Sequence, residues 1–213
     1  MILSHPMLPE GKRVMTVKRD VAYNLLRKSV KAFADIPDKL IDDLFDICTL
    51  VHYKQGQLFI RAGEVPQSMG YNLNGIFRLY YIDEDGNDLT KGFSTVGKFV
   101  VSYSALVQKR PSYFFIEAMV ASDILQFTFS LWQQMIEKDM RWYPFVYKLL
   151  EAVCIMKEMR EKSFLLDDAT TRYLNFRREY PNLENIIKLY HVASFIGITP
   201  EALSRIRKKL KLI

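Results

Sequence analysis

Four polar residues near the end of the chain share the spacing of one helix face. They stand at i, i+3, i+4 and i+7: Glu201, Ser204, Arg205 and Lys208. A guanidinium can donate two hydrogen bonds to guanine O6 and N7, and a carboxylate can accept one from cytosine N4. Lysines further along such a helix favour backbone phosphates. The spacing therefore indicates a surface that can read bases in a DNA groove.

The residues around this face predict a helix-turn-helix. Gly197 suits the turn after a first helix, Thr199 is a good N-cap, and Pro200 fits the first helical position. The opposite face is apolar and should pack on the first helix, through Leu203, Ile206 and Leu210. An ordinary amphipathic helix is the alternative. The predicted DNA-binding residues are Thr199, Pro200, Glu201, Ser204, Arg205, Lys208 and Lys209.

Positive charge is concentrated in the same part of the chain. The net charge of the 213 residues is +6. Residues 170–213 contain nine of the 30 Lys and Arg residues but only three of the 24 Asp and Glu residues, so residues 1–169 are neutral. A neutral body with a basic tail favours an anionic partner, such as nucleic acid or a membrane surface. A solvated helical face is the alternative interpretation.

A glycine-rich segment in the first half predicts β-structure. Seven of the nine glycines fall between Gly56 and Gly97. Between them lie short β-rich runs, and two more runs follow, which predict strands at 57–60, 76–82, 113–120 and 124–129. Asp85-Gly86 is a typical hairpin turn. This pattern predicts an all-β sandwich or barrel.

Helical patterns flank the predicted strands. Residues 17–50 should form helices that cover one end of the β domain. Residues 131–164, which contain no glycine, predict a long helix, and Asp167-Asp168 should begin another that ends at Pro181. Apolar residues of the long helix keep the 4-3-4-3 spacing of a dimer seam, with packing on its own β domain as the alternative: Trp142, Val146, Leu149, Val153 and Met156.

Together these features resemble the Crp/Fnr (cyclic-nucleotide-receptor/fumarate-nitrate-regulator) family of bacterial transcription factors. The order of elements agrees over about residues 25–211, and the family's Glu and Arg pair matches Glu201 and Arg205. Pro200 replaces an arginine often found there, so that base contact is absent. Glycines that match the family's turns are Gly56, Gly63, Gly75, Gly86 and Gly97.

The resemblance implies an α+β fold with three parts. Residues 1–130 would form N-terminal helices and a jelly-roll-like β-roll of the cyclic-nucleotide-binding type that senses an effector. Residues 131–166 would form a long dimerisation helix and hinge, and residues 167–213 a helix-turn-helix domain. The family's homodimeric assembly supports the seam described above.

The predicted effector pocket departs from the cyclic AMP pattern. Family members that bind cyclic AMP carry Gly-Glu-Leu, whose Glu holds the ribose, and a later Arg that holds the phosphate. Here a lysine follows the glycine, and aromatic residues occupy the second half. The resemblance therefore predicts an unidentified effector and no tight binding of cyclic AMP. The candidate pocket residues are Gly97, Lys98, Phe99, Ser112, Tyr113, Phe114, Met156 and Lys157.

Other chemistries find little support in the sequence. Cys48 and Cys154 cannot form a four-cysteine cluster, and His5, His52 and His191 are too scattered for a cupin-type metal site. No catalytic triad or phosphate loop is present, so we expect neither a metal site nor an enzyme, and the cofactor stays unknown. A haem-ligand role for His52 or Cys48 and a redox role for Cys154 remain open.

The sequence therefore predicts a homodimeric, sequence-specific transcription regulator with a β-roll sensor. Its expected partners are double-stranded DNA with a palindromic operator, a second copy of the chain, a small effector and, as a further candidate, RNA polymerase. Residues 1–6 lack a signal-peptide pattern, and no apolar run is long enough for a membrane span, which favours the cytoplasm. The alternative is a regulatory effector-binding subunit whose basic C-terminal helix binds a protein partner.

Overall fold

A computed structural model describes residues 17–212. Residues 1–16 of the predicted first domain, with the N-terminal pattern and His5, lie outside the described residues, as does Ile213. The helices are α1 (Arg19–Phe33), α2 (Asp38–Asp46), α3 (Tyr103–Gln108), α4 (Phe129–Lys138), α5 (Tyr143–Leu166), α6 (Ala169–Glu179), α7 (Leu189–Ile196) and α8 (Pro200–Lys209). Short 3-10 helices span Met140–Trp142 and Leu183–Asn185.

Eight antiparallel strands form two four-stranded sheets. The strands are β1 (Thr49–Tyr53), β2 (Leu58–Ile60), β3 (Ser68–Asn72), β4 (Phe77–Ile82), β5 (Asp88–Ser94), β6 (Phe99–Val100), β7 (Phe115–Ala118) and β8 (Ser122–Thr128). One sheet has the order β1-β8-β3-β6 and the other β2-β7-β4-β5. Large apolar side chains fill the space between the sheets, among them Phe77, Phe114, Ile116 and Ile124. The predicted β-roll is confirmed.

Helices α1 and α2 are present as predicted, but they pack on the outer face of the sheet β1-β8-β3-β6 and do not cover an end of the roll. Leu26 and Leu44 are buried in a core that also holds Tyr71 of β3. The Tyr71 hydroxyl donates to the Leu25 carbonyl at 3.0 Å and lies 2.6 Å from the Ser29 hydroxyl, which satisfies its polar end inside the core. This contact joins the helical cover to the sheet.

The predicted long helix over residues 131–166 is wrong in its first part, because the chain turns at Asp139. Asp139 adopts an extended backbone (φ −140°), and its side chain accepts a hydrogen bond from the Arg141 backbone N–H at 3.0 Å. Helix α5 then begins beside Pro144, a residue favoured in a first helical turn. Trp142 is only 1% exposed and packs edge-on against Trp132 and Phe145. Its predicted place in the dimer interface is therefore wrong, since the protein's own core buries it.

The last three helices follow the sequence signals closely. The Asp168 side chain caps α6 by accepting from the Thr171 N–H at 2.7 Å, and α6 ends two residues before Pro181. Helices α7 and α8 are joined by a short turn that contains Gly197. The predicted helix-turn-helix is present in the described residues.

Candidate nucleic-acid interface and its connection to the sensor

The turn between α7 and α8 requires a glycine on two grounds. Gly197 has φ +71°, a left-handed conformation that glycine adopts without strain. A Cβ atom there would also lie 2.7 Å from Cε1 of Phe164, near the end of α5. The glycine thus allows the chain to turn between α7 and α8, and it allows Phe164 of α5 to lie close to this turn.

Thr199 begins α8 in the way its sequence predicted. Its hydroxyl oxygen accepts a hydrogen bond from the Ala202 backbone N–H at 3.2 Å, and Pro200 occupies the first turn. A hydrogen bond from its own backbone N–H, then one from the Thr199 hydroxyl and the charge of Arg205, lower the pKa of Glu201. Glu201 is therefore ionised near neutral pH and can act as a hydrogen-bond acceptor.

Helix α8 has one buried and one exposed side. Leu203 is buried among residues of α6 and α7, and Ile206, Ile198 and Leu210 pack against the same cluster. The residues predicted to contact DNA are all exposed: Thr199, Pro200, Glu201, Ser204, Arg205, Lys208 and Lys209. The structure therefore brings this predicted set together on one accessible surface, which we call the α8 surface.

Not all positive charge of the C-terminal segment is available to a partner. Arg177 and Arg207 both pair with Glu184, at 2.9 and 3.3 Å. Arg172 donates to the carbonyl oxygens of Ile196 and Asp167, at 2.8 and 2.7 Å, and so holds α6 to the end of α7. Three of the nine basic residues thus stabilise the domain, and the exposed positive charge of α8 lies on Arg205, Lys208 and Lys209.

Helix α7 lies against β5, the edge strand of its sheet. The Thr90 backbone N–H donates to the Ser194 hydroxyl oxygen at 2.8 Å, and that hydroxyl donates to the Asp88 carbonyl at 3.2 Å. A single serine thereby satisfies two backbone groups of an edge that would otherwise be unpaired. These hydrogen bonds join the helix-turn-helix directly to the β-roll.

An ion pair between the buried Arg78 and the half-buried Asp88 supports this contact. Arg78 is 1% exposed and donates to both carboxylate oxygens of Asp88, at 2.6 and 3.1 Å. Hydrogen bonds from Arg78 are the main cause of the lowered pKa of Asp88. The Tyr190 hydroxyl also reaches Asp88, at 3.4 Å. Burial lowers the pKa of the adjacent His191 to about 4, and the charge of Arg78 acts in the same direction.

Aromatic side chains complete the junction. Phe93 of β5 contacts Phe176, Tyr180 and Phe195, with ring centroids 5.5 to 6.3 Å apart. The core of the helix-turn-helix therefore includes residues of the β-roll. Sequence reasoning missed this junction. An arginine inside the apolar run 77–82 was the available signal, because a buried guanidinium needs a partner.

The predicted effector-pocket residues do not form one surface. Ser112 and Phe114 are buried, and the Ser112 hydroxyl donates to the Phe114 carbonyl at 2.8 Å and lies 3.0 Å from the Ser102 hydroxyl oxygen. Gly97 adopts φ +81° in the turn before β6. Phe99 is half-buried, whereas four other candidates are exposed: Lys98, Tyr113, Met156 and Lys157. Ser102 was not predicted.

Comparison with known proteins agrees with this architecture. Residues 50–139 match the family model described as cyclic nucleotide-binding domain. FixK2 from Bradyrhizobium japonicum superposes with a TM-score of 0.63 at 16% identity, over 78% of this chain and 85% of that chain. The catabolite activator protein of Thermus thermophilus gives 0.52 at 18% identity, over 86% of each chain. This chain has the Crp/Fnr-type fold.

A third structure with this Crp/Fnr-type fold is CLP of Xanthomonas campestris, described as a c-di-GMP-responsive global regulator. It superposes with a TM-score of 0.58 at 14% identity, over 83% of this chain and 92% of that chain. No curated protein matches the sequence. The resemblance inferred from the sequence is thus confirmed, at the level of the fold.

Within this Crp/Fnr-type fold, α5 carries the predicted dimer seam. Val146 and Leu149 pack partly against the protein's own core, while Val153 is half-buried. Nine other large apolar side chains of α5 are exposed: Tyr143, Tyr147, Leu150, Ile155, Met156, Met159, Phe164, Leu165 and Leu166. By helical spacing the first three lie on one face and the next three on another, and we call these six residues the α5 apolar surface. The exposed part of the helix therefore differs from the predicted seam and shares only Met156 with it.

Cys48 and His52 make hydrogen bonds within the protein. Burial raises the pKa of Cys48 to about 12, and its thiol donates to the Leu44 carbonyl at 3.2 Å. His52 Nδ1 lies 2.7 Å from Oδ1 of the buried Asp123. Cys154 is exposed. Over residues 17–212 no three His, Cys, Asp or Glu side chains could jointly hold a metal, and no helix is suited to cross a bilayer.

Proposed function

We propose that this protein is a homodimeric, sequence-specific DNA-binding transcription regulator with an effector-sensing β-roll. The α8 surface supports this most directly. A capped helix buries Leu203 on one side and presents Glu201, Ser204 and Arg205 on the other. In a helix-turn-helix, such residues enter the major groove. The three structural relatives described above include regulators, and none is described as an enzyme.

Each polar residue of α8 has an assigned role in the proposal. Arg205 donates a bidentate pair to guanine, and Glu201 accepts from cytosine N4. Lys208 and Lys209 contact phosphates, which raises affinity without adding sequence information. The Arg205→Ala variant should lose ~1–3 kcal/mol of binding free energy and relax specificity at one base pair.

Titration of selected DNA sequences by mobility shift tests these roles. Lys208→Ala should weaken binding to all sequences and flatten the salt dependence by about one ion. Lys162→Ala, on an exposed part of α5, is the matched control and should change neither property. If Arg205→Ala left DNA affinity and specificity unchanged, the alternative would be favoured, in which the C-terminal helix binds a protein partner.

We propose the α5 apolar surface as the contact with a second copy of the chain. Exposed apolar patches on a long helix are typical of interaction sites, and a dimer must place its recognition helices ~34 Å apart. Ile155→Glu should convert the dimer to a monomer in sedimentation experiments. Leu131→Glu changes an exposed leucine of α4 and should leave the dimer intact. A monomeric wild-type protein would contradict this part of the proposal.

The β-roll is proposed to sense an effector other than cyclic AMP. Ser102 and Ser112 bond to each other inside the roll, and a hydroxyl pair lacks the charges that hold a ribose and a cyclic phosphate. Calorimetric titration with cyclic AMP should show no binding at micromolar concentrations. Micromolar or tighter affinity would contradict the proposal. Mass spectrometry of small molecules retained by the purified protein addresses the effector's identity.

A further inference from the structure

A group of three positive charges lies where the β-roll, α5 and the helix-turn-helix meet. Lys91 projects from β5, and Lys157 and Arg160 lie one helical turn apart on α5. We call these three residues the Lys91 cluster. In the pairing of β4 with β5, Leu79 lies opposite Gly92 and the next residue, Tyr80, lies opposite Thr90. Lys91 therefore has no partner in β4 and is the extra residue of a β-bulge. Bulges re-aim a side chain, here toward α5.

Aromatic rings and backbone hold two of these cations in place. The Lys91 ammonium lies 4.9 Å from the centroid of the Phe114 ring. The Arg160 guanidinium lies 3.9 Å from the centroid of Phe195 and donates to its carbonyl at 3.0 Å. Since Phe195 belongs to α7, Arg160 connects the cluster to the helix-turn-helix. Contacts with the β-roll and with α7 thus fix the positions of Lys91 and Arg160.

The residues of the cluster form no ion pair with a carboxylate of the described residues. Burial, followed by the charges of Lys157 and Arg160, lowers the pKa of Lys91. Burial also lowers the pKa of Arg160, and only Tyr180 and Glu179 act in the opposite direction. Lys91 and Arg160 are half-buried and Lys157 is exposed, so an anion bound between them would offset their mutual repulsion.

We propose that the Lys91 cluster binds a small anion that bears at least two negative charges. Such a ligand would contact the β-roll through Lys91 and α5 through Lys157, and it would reach the helix-turn-helix through Arg160. The inference rests on the sensor role proposed above and names the chemical class of its effector. Phosphate-bearing and polycarboxylate ligands share this chemistry, and the experiment separates them.

Thermal unfolding and calorimetry with two probes, inorganic pyrophosphate and citrate, test the proposal at constant ionic strength. A ligand of the native state raises the melting temperature in proportion to its saturation. The wild-type protein should show saturable stabilisation by at least one probe. Lys91→Met and Lys157→Met should each weaken that binding at least tenfold, and Lys91→Met should melt at a higher temperature in chloride because the repulsion is relieved.

Two matched variants control for anions bound elsewhere. Lys148→Met changes an exposed lysine of α5, and Lys208→Met changes the α8 surface; both should keep the wild-type affinity for the probe. Affinity that falls with Lys208→Met but not with Lys91→Met, or no saturable response to either probe, would overturn the inference. Mobility shifts with selected DNA are read separately, so loss of anion binding with retained DNA binding would leave the proposed regulator intact.

Discussion

Acidification should loosen the contact between α7 and the β-roll through His191. This imidazole is 5% exposed, lies with its ring centroid 3.8 Å from that of Tyr190 at an interplanar angle of 41°, and has a buried Nδ1 without a hydrogen-bond partner among the described residues. Its pKa is about 4 in the folded protein. In the unfolded chain it is about 6.5. Because the folded value is the lower one, stability is fully present above about pH 6.5 and is lost as the pH falls toward 4.

The linkage relation gives the size of this effect. With pKa values of about 4 and about 6.5, the free energy of unfolding should fall by about 2 kcal/mol between pH 7 and pH 5. Most carboxylates stay ionised in both states over this range, so the histidine dominates it. Urea unfolding at the two pH values measures the loss directly.

The His191→Gln variant provides the comparison for this measurement. Its own stability at pH 7 can differ from that of the wild type, but its change between pH 7 and pH 5 should be less than half as large. His52→Gln is the matched control, since His52 is hydrogen-bonded to Asp123 and lies outside the α7 contact. An equal pH dependence in wild type and His191→Gln would refute the reasoning.

Three further substitutions test the fold and its junctions. Ser194→Ala should lower the free energy of unfolding by about 1–3 kcal/mol and speed amide exchange at Thr90, because the Thr90 N–H loses its acceptor. Ser104→Ala, on an exposed face, is the control and should change neither property. Trp142→Ala should cost about 3–5 kcal/mol in urea unfolding without changing the oligomeric state, since this ring lies in the core; a dimer lost at unchanged monomer stability would contradict that placement. Gly197→Ala should lower thermal stability by about 1–3 kcal/mol, since its φ is +71° and Phe164 leaves no room; an unchanged melting temperature would contradict it.

Local signals explain why the helix-turn-helix could be predicted from sequence. Thr199, Pro200 and Gly197 act through their own backbone conformations, and the structure places each as expected. Four strands of the β-roll, β2, β4, β7 and β8, were also predictable, because glycines and turn residues separate short β-rich runs. Strands β1, β3, β5 and β6 were not predicted; residues 49–53, for example, follow a helix without a glycine or proline between them.

Features that depend on distant residues were not predictable. The turn at Asp139 places Trp142 against Trp132, and heptad spacing alone extended the seam from α5 into the 3-10 helix Met140–Trp142. The contact of Ser194 with Thr90 joins residues 104 positions apart, and no local pattern marks either partner. The Lys91 bulge likewise depends on the pairing of β4 with β5.

The proposed function depends on α8 reading base pairs through Arg205. A double-mutant cycle tests it most directly: wild-type protein and Arg205→Ala are each titrated against a selected operator and against operators with one G·C pair changed to A·T. At one position the wild type should lose about tenfold or more in affinity on the base change, while Arg205→Ala should lose less than about twofold. Equal losses for both proteins at every position of the operator would contradict the claim.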